Sequence, residues 1–111
     1  MEDLADAVMK RLLAADTPIA PELRAQYALA TVASTELTGV GFFIDYQVPA
    51  TAPRIVPPNL EMGDNATLTN GIGVGFVLFV REGVISMLEG YTYDEPWPQD
   101  ARIREWEEAP G

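Results

Sequence analysis

The sequence predicts an α+β domain in which two N-terminal helices pack on a four- or five-stranded antiparallel sheet, in two layers. Two observations predict this fold. Apolar residues repeat at helical spacing up to residue 30 and alternate at strand spacing after it. The later segments are separated by turn signals such as Asn70-Gly71, which is typical of hairpins. The chain has 111 residues, which is enough for one domain, 1–111, and too few for two ordinary ones.

Residues 1–30 are predicted to be helical. The first helix carries one apolar stripe formed by Leu4, Ala5, Val8, Met9, Leu12 and Leu13. Asp16-Thr17-Pro18 ends it, because a residue before proline avoids the helical region. A second helix of about ten residues is predicted to begin at Pro21, since proline suits the first helical position.

Residues 31–98 are predicted to form the sheet. Strands are expected over residues 31–37, 42–48, 66–70, 72–80 and 84–93, with a proline-rich loop at 49–65. The strand over 72–80 is apolar on both sides, which predicts a central strand that is covered on both faces. Residues 99–111 form an acidic C-terminal segment, and a short helix is expected over 99–109.

The composition excludes several kinds of chemistry. The chain has no cysteine and no histidine, so disulfides, cysteine zinc sites and a Ser-His-Asp triad are impossible. The glycines at 71–75 lie before or within a strand, whereas a dinucleotide loop needs them between a strand and a helix. No Ca²⁺-loop motif is present. We therefore predict no cofactor and no metal, and an oxygen-only Mg²⁺ or Ca²⁺ site built from Asp64, Asp94 or Glu95 is the alternative.

The charge narrows the class of partner. Seventeen acids oppose seven bases, and residues 81–111 hold eight of the acids. A net charge of −10 repels phosphate backbones and anionic lipids, so we expect neither nucleic-acid nor membrane binding. The N-terminus lacks the positive region of a signal peptide, which favours a cytoplasmic protein. The acids either solubilise the chain or form a face for a basic protein partner.

Two carboxylates are the candidates for chemistry. Glu89 falls within an otherwise apolar strand, where a carboxylate needs hydrogen-bond donors or a raised pKa. Asp45 lies beside Phe43 in another predicted strand, so its carboxylate has the same need for a polar environment. Glu89 is therefore a candidate catalytic or binding carboxylate. If Asp45 and Glu89 met across neighbouring strands, they could form a carboxylate pair of the glycosidase kind. The alternative for Glu89 is a partly exposed position, or an arginine partner.

An aromatic and acidic cluster near residue 95 is the candidate partner site. It consists of Tyr91, Tyr93, Asp94, Glu95 and Trp97. Tyrosine and tryptophan anchor many interfaces, and the adjacent acids would attract a basic partner. The alternative is that Trp97 covers the edge of the core and the tyrosines cover the sheet.

Several motifs resemble a group of small bacterial proteins of unknown function. They are Thr38-Gly39-Val40-Gly41-Phe42-Phe43, Gly75-Phe76-Val77-Leu78-Phe79-Val80, Gly83, Leu88-Glu89-Gly90-Tyr91-Thr92-Tyr93 and Trp97-Pro98. The resemblance covers about residues 4 to 98. It implies two helices followed by antiparallel strands in a bacterial cytoplasmic protein, and it implies no particular activity.

The sequence favours a non-enzymatic protein-interaction module. An immunity protein that blocks a toxin is one concrete version, because such proteins are often small and acidic. The alternative is a small carboxylate-dependent enzyme or ligand-binding domain that uses Asp45 and Glu89. A structural homodimer is a third reading, since an open sheet edge favours association.

Overall fold

The computed structural model describes residues 2–107. Two helices, α1 (Glu2–Leu13) and α2 (Ala20–Leu29), precede six strands. The strands are β1 (Thr31–Leu37), β2 (Gly41–Gln47), β3 (Leu60–Leu68), β4 (Gly73–Arg81), β5 (Val84–Thr92) and β6 (Ile103–Trp106). The predicted α+β class and the antiparallel sheet are confirmed. Neither helix in this part of the chain has the length and apolar character needed to cross a membrane.

Among residues 2–107 the sheet has six strands, so the prediction of four or five is wrong. Its order is β1-β2-β5-β4-β3-β6, and every neighbouring pair is antiparallel. β4 and β5 lie at the centre and β1 and β6 at the edges. β4 is therefore central, as its apolar pattern predicts.

The loop predicted over 49–65 is too long, because β3 begins at Leu60. Residues 60–67 pair with β4 in an unbroken register. Gly63, Asp64 and Asn65 have low strand propensity, which is why the sequence favours a loop there. Pairing with a strongly apolar strand overrides that local preference.

The helix predicted over 99–109 is also wrong within the described residues. Ile103–Trp106 forms β6, which pairs with Ala66, Thr67 and Leu68 of β3. A short segment after Pro98 gains little from helix formation, since nucleating a helix is costly. Hydrogen bonds to an existing strand edge satisfy the same backbone without that cost. Residues 108 and 109 of the prediction lie outside the described residues.

Both helices pack on the same side of the sheet. α1 lies against β3 and β4, and α2 lies against β5. The core between the two layers is formed by Leu4, Val8, Met9, Leu12, Leu23, Phe42, Ile44, Leu68, Val74, Phe76, Leu78, Val80, Ile85 and Leu88. Side chains on the β4 positions between these core residues point away from the helices. Within residues 2–107 no helix covers the opposite side of the sheet, so the prediction that β4 is covered on both faces is wrong.

A single buried glutamine joins α2 to the strands and to the long loop. Gln26 is fully buried, and its Nε2 donates to the carbonyl oxygens of Pro53 at 2.7 Å and Gly83 at 2.8 Å. Its Oε1 accepts the backbone N–H of Ile85 at 2.8 Å. The positive φ of Glu82 and Gly83 makes the tight β4–β5 turn that presents this carbonyl. Arg81-Glu82-Gly83 is a turn motif in the sequence, because glycine accepts a positive φ, and the structure forms that turn.

Two tyrosines link the helices to β2. The Tyr27 hydroxyl donates to Asp6 Oδ1 at 2.7 Å, and the Tyr27 ring meets the Tyr46 ring edge-on at 6.2 Å between centroids. Burial raises the pKa of Tyr46 to about 12 and, together with the bond to Asp6, also raises the pKa of Tyr27. Hydrogen bonds from Lys10 and Tyr27 lower the pKa of Asp6. Both hydroxyls therefore stay protonated at neutral pH.

Candidate functional site

The side of the sheet that faces away from the helices, which we call the open face, holds most of the candidate residues. Strand register defines it, because successive residues of a strand point to opposite sides. Its side chains in β1 to β5 include Ser34, Glu36, Phe43, Asp45, Glu61, Asn65, Val77, Phe79, Met87, Glu89 and Tyr91. Tyr93 continues the same side beyond the end of β5, with its ring against Gly73.

The centre of the open face is apolar. Phe43 lies opposite Glu89, and Met87 lies opposite Phe79 in the sheet register. Phe43, Phe79 and Met87 are half-buried, although the core residues of the same strands are almost fully buried. Together with Val77 they form a continuous apolar centre on β2, β5 and β4. A protein surface of this kind typically marks an interaction site.

Acids lie around this apolar centre and, at Glu89, within it. Glu36 of β1, Asp45 of β2, Glu61 of β3 and Glu89 of β5 all point to the open face. Arg81 is the base near them, and it pairs with Glu61 at 3.4 Å and lies 5.3 Å from the Phe79 ring centroid. The acids therefore outnumber the base, and the potential of this surface is negative.

Glu89 sits at the middle of the open face. It is half-buried between Phe43 and Val77, its register partners on the two neighbouring strands. None of the ion pairs formed within residues 2–107 involves Glu89. The sequence offers two alternatives to a functional role for Glu89, a partly exposed position and an arginine partner. In residues 2–107 Glu89 is partly exposed, and no arginine forms an ion pair with it. A half-buried carboxylate among apolar side chains is well placed to receive a cationic group.

The structure brings Asp45 and Glu89 to the same face of neighbouring strands. Asp45 pairs with Met87, and Phe43 pairs with Glu89. The two acids are therefore diagonal neighbours on adjacent strands, where such residues lie about 7–8 Å apart. Asp45 is exposed, and its carboxylate accepts a hydrogen bond from the Ser34 hydroxyl at 2.7 Å. Both acids stand on a surface that the helices leave uncovered. This arrangement can hold a lysine or arginine head group.

Tyr91 and Tyr93 form an aromatic pair on the open face. Their rings meet edge-on with centroids 5.9 Å apart, and the Tyr93 hydroxyl donates to Asn65 Oδ1 at 2.7 Å. The Tyr91 ring lies over Gly75, where a Cβ would approach its hydroxyl to 2.5 Å. Gly73 and Gly75 in the sequence predict that a bulky group such as a helix lies close to the sheet, and the groups found there are the rings of Tyr93 and Tyr91. Burial raises the pKa of Tyr93.

Trp97 lies on the helix side of the sheet, apart from the two tyrosines. Its ring contacts Phe42 at 5.3 Å and Phe76 at 6.4 Å between centroids, both edge-on. Its backbone N–H donates to Gly39 at 2.8 Å. The half-buried indole therefore closes one end of the core. The five residues that the sequence groups into one partner site are thus divided between two sides of the sheet.

Asp94 and Glu95 lie in the exposed turn between these two sides. Thr92 fixes the turn, because its hydroxyl donates to the carbonyl oxygen of Glu95 and its N–H donates to Val40. The two acids are close in sequence to the tyrosine pair and add negative charge at that end of the open face.

Within residues 2–107, no three or more acids lie close enough together to hold a metal ion. The same residues bring aromatic rings and carboxylates together on a broad, uncovered surface. This surface can bind a cation, because carboxylates pair with cations and aromatic faces stabilise them.

Sequence reasoning does not assign Phe43, Val77, Phe79 and Met87 to the site. It interprets the two apolar sides of β4 as evidence of cover on both faces. One signal for an open face is available: two short helices in residues 1–30 cannot cover both sides of a wide sheet.

Comparison of the chain with protein-family models, with curated proteins and with solved structures gives no match. The resemblance to small bacterial proteins therefore stays a prediction, and the function has to be argued from the open face itself.

Proposed function

We propose that the protein is a non-enzymatic interaction module that binds a basic protein partner through the open face. The observation that carries the proposal is the position of Glu89, which is half-buried among apolar side chains without an ion-pair partner in residues 2–107. Carboxylates on an interaction surface help to determine which partner binds, because a partner must present complementary charge to them.

The composition of the surface supports a protein rather than a small ligand. Aromatic and apolar side chains occupy the centre of the open face, and acids lie around them. A hydrophobic centre with a polar rim is the usual anatomy of a protein interface. A partner lysine or arginine would pair with Glu89 while its aliphatic part contacts Phe43.

The charge of the whole chain supports a basic partner. At −10, the chain attracts cationic proteins over distances of about a Debye length, and this attraction speeds encounter. An immunity protein that blocks a toxin is one form that such a module takes. A captured partner that is itself an enzyme, and that loses activity when bound, would place the chain in this class.

Charge reversal at Glu89 is the sharpest test. We expect Glu89→Lys to weaken partner binding by at least about tenfold, because it puts a cation where the partner's cation must enter. Wild-type and variant chains are immobilised and exposed to lysate of the encoding organism. Captured proteins are identified by mass spectrometry, and their affinities are then measured by calorimetry.

Asp16→Lys is the matched control for this experiment. It changes the net charge by the same amount at an exposed residue beyond the end of α1, on the helix side of the molecule. The proposal predicts that the control retains the partner. Equal losses for the two variants would show that only total charge matters, and retention by both would exclude the open face.

The net charge also predicts that the protein does not bind nucleic acid. We expect no detectable binding of a short fluorescent DNA duplex or RNA strand at physiological salt, because a −10 chain cannot release phosphate counterions on binding. Fluorescence anisotropy measures this directly. A micromolar affinity that falls as salt rises would contradict the charge argument.

A further inference from the structure

β1 is an edge strand whose regular pairing with β2 runs from Ser34 to Leu37, after a register shift between Val32 and Ser34. All seven residues of β1 are exposed, and on its outer side no strand among residues 2–107 pairs with it. β1 contains no proline, and Glu36 is its one charged residue. Edge strands of this length and composition tend to pair with another strand.

The opposite edge of the sheet differs in the features that prevent such pairing. β6 has four residues, and two of them, Arg104 and Glu105, are charged and exposed. A short, charged edge strand is a common protection against association. β6 covers the outer side of β3 at Ala66–Leu68, and the part of β3 that it leaves uncovered carries Glu61 and Asp64. Among residues 2–107, the β1 edge is therefore the less charged edge that a further strand could use.

Exposed apolar side chains gather around β1. Val32 is 51% exposed and Leu37 is 69% exposed, and Leu29 and Val40 near the two ends of the strand are each about half exposed. A groove of about 750 Å³ runs between the helices and β1, and Tyr27, Val32, Ile44 and Tyr46 are among its lining residues. The helix layer thus stops short of β1 and leaves its apolar side uncovered.

The hydrogen-bonding pattern shows which groups of β1 are free. The N–H of Thr38 donates to Gly41 across the β1–β2 hairpin. Alternate residues of an antiparallel strand bond to the same neighbour, so the N–H groups of Thr35 and Leu37 point outward. These groups and their carbonyls form the ladder that an added strand would use.

We propose that β1 pairs antiparallel with β1 of a second copy of this chain and forms a two-fold symmetric dimer. Thr35 would lie opposite Thr35 of the second copy, so that the outward N–H and carbonyl groups of both strands are satisfied. In this register Glu36 lies opposite Ser34 of the second copy, and no like charges face each other.

Symmetry also limits the size of the assembly. Pairing through β1 joins the two sheets into one continuous sheet of twelve strands, with β6 of each copy at its two ends. The contact is isologous, so it closes at two copies and does not propagate. This inference goes beyond the proposed function, because the β1 edge is separate from the centre of the open face.

Sedimentation equilibrium of the purified chain tests the dimer. We expect the mass to rise from 12.1 kDa toward twice that value as the concentration increases from about 1 µM to about 1 mM. The dimer should strengthen with added salt, because salt screens the repulsion between two chains of net charge −10.

Two variants at one residue isolate the edge. Thr35→Pro removes an outward N–H and leaves the β1–β2 ladder intact, so we expect dimerisation to weaken at least tenfold, whereas Thr35→Ala keeps the N–H and should dimerise like the wild type. Leu37→Lys, at an exposed position, provides a second disrupting variant, and circular dichroism checks that each variant is folded. The proposal would be overturned if the mass stays that of a single chain at every concentration. It would also be overturned if all variants dimerise equally, or if species larger than two copies form.

Discussion

Replacing Gln26 with leucine is expected to lower the free energy of unfolding by about 3 kcal/mol. Leucine fills nearly the same space but makes none of the three hydrogen bonds that Gln26 makes to Pro53, Gly83 and Ile85. The Ile85 N–H then remains buried without its acceptor, and the Pro53 carbonyl loses a donor. Urea unfolding followed by circular dichroism measures the loss.

The same substitution at an exposed position provides the control. Gln47 lies at the exposed end of β2, and Gln47→Leu is expected to change stability by no more than about 0.5 kcal/mol. A Gln26→Leu variant as stable as the Gln47→Leu variant would show that the glutamine does not hold α2 to the sheet.

Phe76→Ala is expected to cost about 3–5 kcal/mol, because it empties the centre of the core. Phe76 is 1% exposed. Its ring meets Phe42, Trp97 and Trp106 with centroids 6.3, 6.4 and 5.7 Å away. Few neighbours can move into the space that the ring leaves, since helices and strands hold them. Denaturant unfolding of the variant gives the loss directly.

Phe79→Ala is the matched control on the same strand. Phe79 points to the open face and is half-buried, so its removal should cost less than half of the loss at Phe76. A loss equal to that of Phe76→Ala would mean that both sides of β4 contribute equally to the core. The two-layer arrangement would then be incorrect.

The sequence predicts the elements that local pattern determines. The helical stripe of α1, the alternation of β2 and the turns at Asn70-Gly71 and Glu82-Gly83 are all present. Each of these depends on neighbouring residues, through helix periodicity, strand periodicity or positive φ. Alternation also puts Tyr91 and Tyr93, two residues apart, on one side of the sheet, where their rings meet.

The elements that depend on distant pairing are not predictable in this way. β3 begins in a polar stretch around Asp64, and β6 is a charged tetrapeptide that pairs with β3. Their stability as strands comes from the partner strand and not from their own propensity. Trp97 follows the last periodic residue of β5, so no alternation indicates on which side of the sheet it lies.

Carboxyl footprinting of the chain alone and with its captured partner tests the central claim most directly. A carbodiimide and an amine nucleophile modify accessible acids, and mass spectrometry reports each position. The account predicts that partner binding protects Asp45 and Glu89 on the open face while Asp3 and Asp16 on the helix side react as before. Protection of Asp3 and Asp16, with Asp45 and Glu89 still reactive, would contradict it.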